Sequence, residues 1–268
     1  MPPTAAELGA IAQGLAREAG QLIRGRLDDV IAISTKSTAT DMVTEVDQES
    51  ERLIVSRLQA LRPDDGLLGE EGTNRQGTSG VRWIFDPLDG TTNYIYGYPA
   101  FGVSIAAEVD GVVAAGAVYD ALRGEMFSAV AGGGAFLGER PIRVTAQSSL
   151  ETALVSTGFG YDPARRAFQG RVLSEVVPRF RDVRRGGSAA LDLCWVACGR
   201  VDAYYEFGLN DWDMAAGALI VREAGGRTGT FAGAPPGVNT IEAAGTGVFG
   251  ALHALVEGTH LRFPEMRA

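Results

Sequence analysis

Histidine and cysteine are almost missing from this chain, with two of each in 268 residues. His253 and His260 both lie near the C-terminus, so a histidine-driven acid–base scheme or a phosphohistidine route is unattractive. Both are read as surface or packing residues. Cys194 and Cys198 stand four apart in Leu193-Cys-Trp-Val-Ala-Cys198, on one helical face and without partner ligands. They read as reduced core residues of a cytoplasmic protein, not as a zinc site or a disulfide framework. Basic clusters are also absent. With 24 basic against 33 acidic residues the net charge is −9 and nucleic acids and anionic membranes are poor partners. The longest apolar runs, such as residues 214–221, are too short to cross a bilayer. There is no Asn-x-Ser/Thr acceptor, and the first ten residues lack the basic-then-apolar pattern of a secretion signal.

What remains is an ordinary globular composition, 46% hydrophobic and 21% charged, with 36 glycines that call for many tight turns. Leu8, Ile11, Leu15, Ala19, Leu22 and Ile23 keep a three-four spacing, which predicts an opening helix. A second helix follows Asp47, burying Val46, Leu53, Ile54, Leu58 and Leu61, and stops at Pro63-Asp-Asp-Gly66. Residues 73–80, polar and glycine-containing, are expected to form a mobile loop. Strands at 102–109, 112–119 and 125–130 make a meander, its first turn marked by Asp110-Gly111. Past residue 150, strands at 154–157, 182–185, 203–207, 227–230 and 240–244 alternate with helices at 163–177, 188–198, 212–224 and 249–256. The chain therefore reads as one compact unit of two subdomains, α+β over 1–147 and α/β over 148–268.

Four segments concentrate acids at element ends: Asp41 to Asp47, Gly69-Glu-Glu-Gly72, Asp86-Pro-Leu-Asp89, and Asn210-Asp-Trp-Asp213. Taken singly each has an ordinary explanation. Asp47 suits a helix N-cap, Glu70 and Glu71 suit a solvated loop, and Asp211 and Asp213 suit the positive end of a helix. Asp86 to Asp89 resists such a reading. The apolar run Trp83-Ile-Phe85 leads straight into two carboxylates, which repel unless a cation sits between them. Pro87 marks a strand exit, and Gly90-Thr-Thr92 offers backbone N–H groups to an anion. A phosphatase with an aspartyl nucleophile would place its acids as Asp-x-Asp on one strand face; here they stand i,i+3 across a proline, so that class is disfavoured. Hard divalent cations prefer oxygen ligands of this kind.

Asp86-Pro-Leu-Asp-Gly-Thr-Thr-Asn93, with Gly69-Glu-Glu71 before it and Trp212-Asp-Met-Ala-Ala216 after it, resembles the inositol monophosphatase family. Lys36, Asp41-Met-Val-Thr44 with Asp47, Gly187-Ser-Ala-Ala190 and Ala203-Tyr-Tyr-Glu206 extend the likeness over nearly the whole chain. The resemblance implies a layered αβαβα sandwich and a Mg²⁺-dependent phosphomonoesterase hydrolysing inositol 1-phosphate by direct attack of metal-activated water, with no phosphoenzyme. It implies two to three Mg²⁺ per site. Glu70, Asp86 and the Leu88 carbonyl would hold the first, Asp86, Asp89 and Asp213 the second, and Glu70 through water a weaker third. Thr91 paired with Asp47 would orient and deprotonate the water, and the Gly90 and Thr91 amides would grip phosphate. Glu206 would accept from substrate hydroxyls in a pocket lined by Gly187, Ser188 and Ala189. Lithium sensitivity and a homodimer are further implications.

Asp211 is an acid the resemblance does not demand; it is either solvated or tunes substrate choice. Tyr94-Ile-Tyr-Gly-Tyr98 reads as packing beneath the phosphate turn. Gly245-Thr-Gly-Val-Phe-Gly250 matches a dinucleotide fingerprint, but the short remainder, interrupted by Pro264, lacks the following strand and acid, so it reads as a turn into the last helix. Two alternatives stay open: a phosphatase of another small ester, such as fructose 1,6-bisphosphate, histidinol phosphate or phosphoadenosine phosphate, and a non-catalytic interaction protein on the same scaffold.

Overall fold

Helix α1 (Ala5–Gly25) buries one stripe, Leu8, Ala12, Leu15, Ala19 and Ile23, and begins at Thr4, which forms a reciprocal capping box with Glu7. The computed structural model describes residues 3–29, 33–36, 42–231 and 239–263. Strands β1 (Ile33–Thr35) and β2 (Met42–Thr44), which the periodicity did not signal, pair antiparallel. Helix α2 (Glu45–Leu61) follows at once. Its cap is Thr44, not Asp47, which sits at the third helical position and turns its carboxylate back to Thr44. Ile54 and Leu58 are fully buried as the spacing requires, but Leu61 is 58% exposed at the last turn.

Strands β3 (Gly66–Gly69), β4 (Asn74–Arg75) and β5 (Val81–Asp89), short helix α3 (Thr91–Ile95), and strands β6 (Gly102–Val109), β7 (Val112–Asp120), β8 (Glu125–Val130), β9 (Gly134–Leu137) and β10 (Arg140–Pro141) come next. The eight strands form one sheet in the order β10-β9-β8-β7-β6-β5-β3-β4, antiparallel except between β3 and β5. Asp110 and Gly111 both have positive φ, 49° and 84°, as a hairpin turn matched to strand twist requires. Residues 73–80 are not a free loop. β4 pairs with β3, the Thr78 and Ser79 amides donate to Asp64 O, and Ser79 Oγ donates to Asp65. Satisfying these backbone groups fixes the segment.

The second sheet is built from β11 (Leu154–Thr157), β12 (Asp182–Arg184), β13 (Ala203–Leu209), β14 (Gly226–Gly229) and β15 (Asn239–Gly245), in the order β12-β11-β13-β15-β14. Between these strands run α4 (Pro163–Val176), α5 (Ala189–Ala197), α6 (Asp211–Glu223) and α7 (Thr246–His260). Helices α1 and α2 cover one face of the large sheet, α5 and α6 lie between the two sheets, and α4 and α7 cover the far face of the second. The expected αβαβα sandwich is present. Three apolar clusters fill the four interlayer spaces, the middle one extending over both sides of α5 and α6. Strand alternation divides them: Trp83 and Phe85 face α1 and α2, whereas Ile84 faces the middle helices.

Candidate active site

Strand β5 is central, hydrogen-bonded to β3 on one side and β6 on the other, and it runs through Pro87 to Asp89 rather than ending before the proline. Pro87 is tolerated because the register slips there: Asp86 pairs with Ser104 but Asp89 with Gly102. Pro87 and Leu88 on β5 oppose Val103 alone on β6, so the missing N–H falls where the ladder is already interrupted. The bulge has a chemical consequence. A regular strand would send residues i and i+3 to opposite faces; here Asp86 and Asp89 both line one cavity of about 410 Å³. Glu70, from the turn after β3, and Asp213, from the first turn of α6, line it too, with Leu88, Gly90 and Thr91.

Burial, and then the charges of Glu70, Asp89 and Asp213, hold the Asp86 carboxyl far above the usual carboxylate range. Burial lifts Asp89 to about 6 although Ser188 Oγ (2.5 Å) and the Ala190 amide (2.8 Å) both donate to it. Asp213 is raised by burial and by Glu70, against the donation it receives from the Asn210 amide. Lys36, the only lysine in the sequence, reaches Glu70 at 2.9 Å and Glu71 at 2.6 Å. Burial opposes the Lys36 charge, but the two carboxylates outweigh it and hold its pKa above the ordinary value. Burial still leaves Glu71 at about 7, so this pair is no solvated loop.

Mutually repelling carboxylates and a strand carbonyl make an all-oxygen donor set, which fits a hard divalent cation. Among the described residues no three acid, histidine or cysteine groups are already gathered as a metal cluster. Each carboxylate is turned to a protein donor: Asp86 to the Leu88 amide, Asp89 to the start of α5, Asp213 to Asn210, Glu70 to Lys36. Holding a cation means exchanging some of those donors for it.

Thr91 Oγ1 donates to Asp47 Oδ1 at 2.8 Å, and Thr44 Oγ1 and N donate to the other Asp47 oxygen. Asp47 is fully buried, and desolvation raises its pKa against those three bonds. Gly90 turns the chain from β5 into α3 at φ 97°, where a Cβ would lie 2.9 Å from Ala100 O.

From the second half, Gly187, Ala189 and Glu206 line the cavity. Ser188 stands behind the wall instead, capping α5 and holding Asp89. Tyr204 Oη donates to Glu206 at 2.6 Å, and burial lifts the Glu206 carboxyl to about 7. Sequence reasoning missed Tyr161, Arg165 and Arg185, which also line the cavity. They lie in no motif, and Arg165 is brought there by the packing of the start of α4 against the end of β13. It also missed Asp192, buried on α5, whose carboxyl is raised well above its ordinary value by desolvation and then by the charge of Glu206.

Other candidate positions fall elsewhere. Asp211 is exposed, accepts from Asn239, and is not in the cavity wall. Of the tyrosines after the motif only Tyr94 packs, donating to Ile23 O, whereas Tyr96 and Tyr98 are 77% and 53% exposed. Gly245 is the N-cap of α7, and Gly247 and Gly250 lie within that helix; Pro264 and Asp41 fall outside the described residues. His260 is packed among Phe168, Phe207 and Phe231, and His253 meets Glu242 near the surface. Both cysteines are free.

The model of the inositol monophosphatase family matches residues 5–259. An inositol-1-monophosphatase of Mycobacterium bovis is 48% identical over 241 residues, covering 83% of each chain. A Nus factor SuhB of Pseudomonas aeruginosa is 45% identical over 235 residues, covering 83% of this chain and 85% of that one. Among solved structures, Mycobacterium tuberculosis SuhB superposes with a TM-score of 0.83 at 43% identity, covering 96% of this chain and 98% of that one.

Proposed function

Because this chain belongs to the inositol monophosphatase family, we propose that it is a Mg²⁺-dependent phosphomonoesterase whose leading substrate is inositol 1-phosphate. The observation that carries the reading is the meeting of Glu70, Asp86, Asp89 and Asp213 with the Thr91–Asp47 pair on one cavity. Two to three Mg²⁺, held by those four carboxylates and the Leu88 carbonyl, would supply a water of lowered pKa and neutralise charge on phosphate and leaving alkoxide. Uncatalysed monoester hydrolysis is slow enough that enhancements approach ~10²¹, so such charge stabilisation is indispensable. The chain's own groups do the rest. Thr91 Oγ1 orients the attacking water, and its proton passes toward Asp47, which burial makes a better base than a free aspartate. The Gly90 and Thr91 amides bind phosphate oxygens. Glu206, ionised, accepts from substrate hydroxyls. Lithium in the millimolar range should inhibit turnover by competing for the carboxylates. A homodimer is part of the same reading.

The name Nus factor SuhB, carried by a relative 45% identical, supports a second reading in which the scaffold also binds a protein partner. Phosphate release with Mg²⁺ separates the two. A kcat/KM preference for inositol 1-phosphate over fructose 1,6-bisphosphate, histidinol phosphate, phosphoadenosine phosphate and β-glycerophosphate supports the first. Preference for another ester keeps the mechanism and moves the substrate. No release from any of them, with Mg²⁺ or Mn²⁺, makes the binding role the leading one.

A further inference from the structure

Three polar side chains of α2, Asp47, Ser50 and Glu51, are buried. Their spacing of three and four residues places them on one face of the helix, and each reaches a different segment of the candidate site. Asp47 accepts from Thr91 at the start of α3. Ser50 Oγ donates to Pro87 O in the β5 bulge at 2.8 Å, one residue before the Leu88 carbonyl. Glu51 takes the turn after β3. Its Oε2 accepts from the Glu71 amide at 2.8 Å, and its Oε1 accepts from the Thr73 amide at 3.0 Å and from Thr73 Oγ1 at 2.6 Å. The turn is also closed across its base, where the Gly69 amide donates to Thr73 O at 2.8 Å. Residue 69 leaves no room for a side chain: a Cβ there would come within 2.6 Å of Glu51 Oε2 and 2.5 Å of the Phe85 ring.

Glu70 sits within that clamp, between the two residues whose amides Glu51 holds at one side and the Gly69 position it packs against at the other. Burying a carboxylate is costly unless donors satisfy it, and here three donors from the turn do so. The Glu70 carboxylate is held separately, by Lys36, and Lys36 is one of the donors a cation would replace. The Glu51 contacts reach backbone and Thr73, so that exchange does not touch them. Resting on the Mg²⁺-dependent reading of this site, we propose that Glu51 is a positioning residue for the cation. It fixes the backbone of residues 69–73 against α2, so that Glu70 meets a cation on the same frame that carries Asp47 with Thr91 and, through Ser50, the bulge bearing Asp86 and Asp89.

The test is the climb of melting temperature with Mg²⁺ concentration, which reads cation binding without turnover, on wild type, Glu51→Gln and Ile54→Val. Glu51→Gln keeps the size of the side chain but sets an NH₂ group where an acceptor is needed. Its climb should begin at about 10- to 100-fold higher Mg²⁺ than that of wild type. Ile54→Val trims the next buried position of α2, and should lower the metal-free melting temperature while its climb begins where that of wild type does. Phosphate release should show the same split: half-saturating Mg²⁺ rises in Glu51→Gln by the same factor, and kcat at saturating Mg²⁺ stays within about 3-fold of wild type. Thr73→Val removes one donor of the turn and leaves the Glu51 carboxylate in place. It should displace the climb the same way by a smaller factor, and decides the matter if Glu51→Gln does not fold. A lowered metal-free melting temperature with an undisplaced climb overturns the inference and leaves the phosphomonoesterase reading standing. A wild type that responds to neither Mg²⁺ nor Mn²⁺ overturns that reading, and the inference with it.

Discussion

Asp47 and Glu206 are both carboxyls that burial pushes toward neutrality, yet the chemistry asks different things of them. In the proposed mechanism Asp47 takes a proton that arrives through Thr91. Asp47→Asn should therefore lower kcat by about 10²- to 10⁴-fold with little change in KM. Thr91→Ala should cost about the same, and the double variant no more than either single one, because the two act as a unit. Additive losses in that cycle would separate them. In the same proposal Glu206 binds rather than reacts, and its pKa of about 7 sets a sign. Below the ordinary carboxyl pKa both folded and unfolded states hold the proton. As pH rises toward 7 only the unfolded state loses it, so stability falls, and above 7 the penalty is constant. Glu206→Gln should therefore be more stable than wild type at pH 8, by about 2 kcal/mol, and equal to it near pH 4. Melting temperatures across that range decide it; a constant difference would place the effect in packing instead. The same variant should raise KM for hydroxyl-bearing esters.

Elements were legible where local chemistry decides them. The meander strands, the Asp110-Gly111 turn and the second-half strands follow from alternation and turn residues, and the structure places them within a residue or two of the pattern. What escaped depends on partners distant in sequence. The proline in β5 sits in a bulge only because β6 slips beside it, and residues 73–80 are fixed because β3, Glu51, Asp64 and Asp65 meet them. The carboxylate motifs could be read from sequence because they are contiguous. Arg165 could not, since it reaches the cavity only where the start of α4 meets Phe207 and Gly208 at the end of β13. The glycines of α1 make the same point in a form that stability measurements can check. A Cβ at Gly14 meets nothing within 4 Å, but one at Gly20 comes within 2.2 Å of the Tyr119 ring on β7. Gly14→Ala should stabilise by about 0.4–1 kcal/mol through the lower entropy of the unfolded chain. Gly20→Ala should destabilise by about 1–3 kcal/mol by forcing α1 off the sheet. Denaturant midpoints with unchanged slopes would show both; a stable Gly20→Ala would mean that Tyr119 moves freely.

For the whole molecule, the carboxylate cavity is a place where folding opposes charge. The net charge is −9, and Glu70, Asp86, Asp89 and Asp213 come from three separate stretches of chain brought to one point. Burial first, and their mutual repulsion with it, raises the Asp86, Asp89 and Asp213 carboxyls and opposes the native arrangement once they ionise. A divalent cation that binds only the assembled set must stabilise the fold, by about 2.7 kcal/mol at one hundred times its dissociation constant. The melting temperature should therefore climb with the logarithm of Mg²⁺ concentration. It should climb more at pH 8 than at pH 5, where Asp89, with a pKa of about 6, holds its proton in competition with the ion. Asp213→Asn should flatten the climb and also raise the melting temperature without Mg²⁺, because it removes one of the repelling charges. Asp211→Asn, two residues away but outside the cavity wall, should change neither. An equal Mg²⁺ response in both variants would assign the stabilisation to general screening of an acidic surface rather than to the cavity.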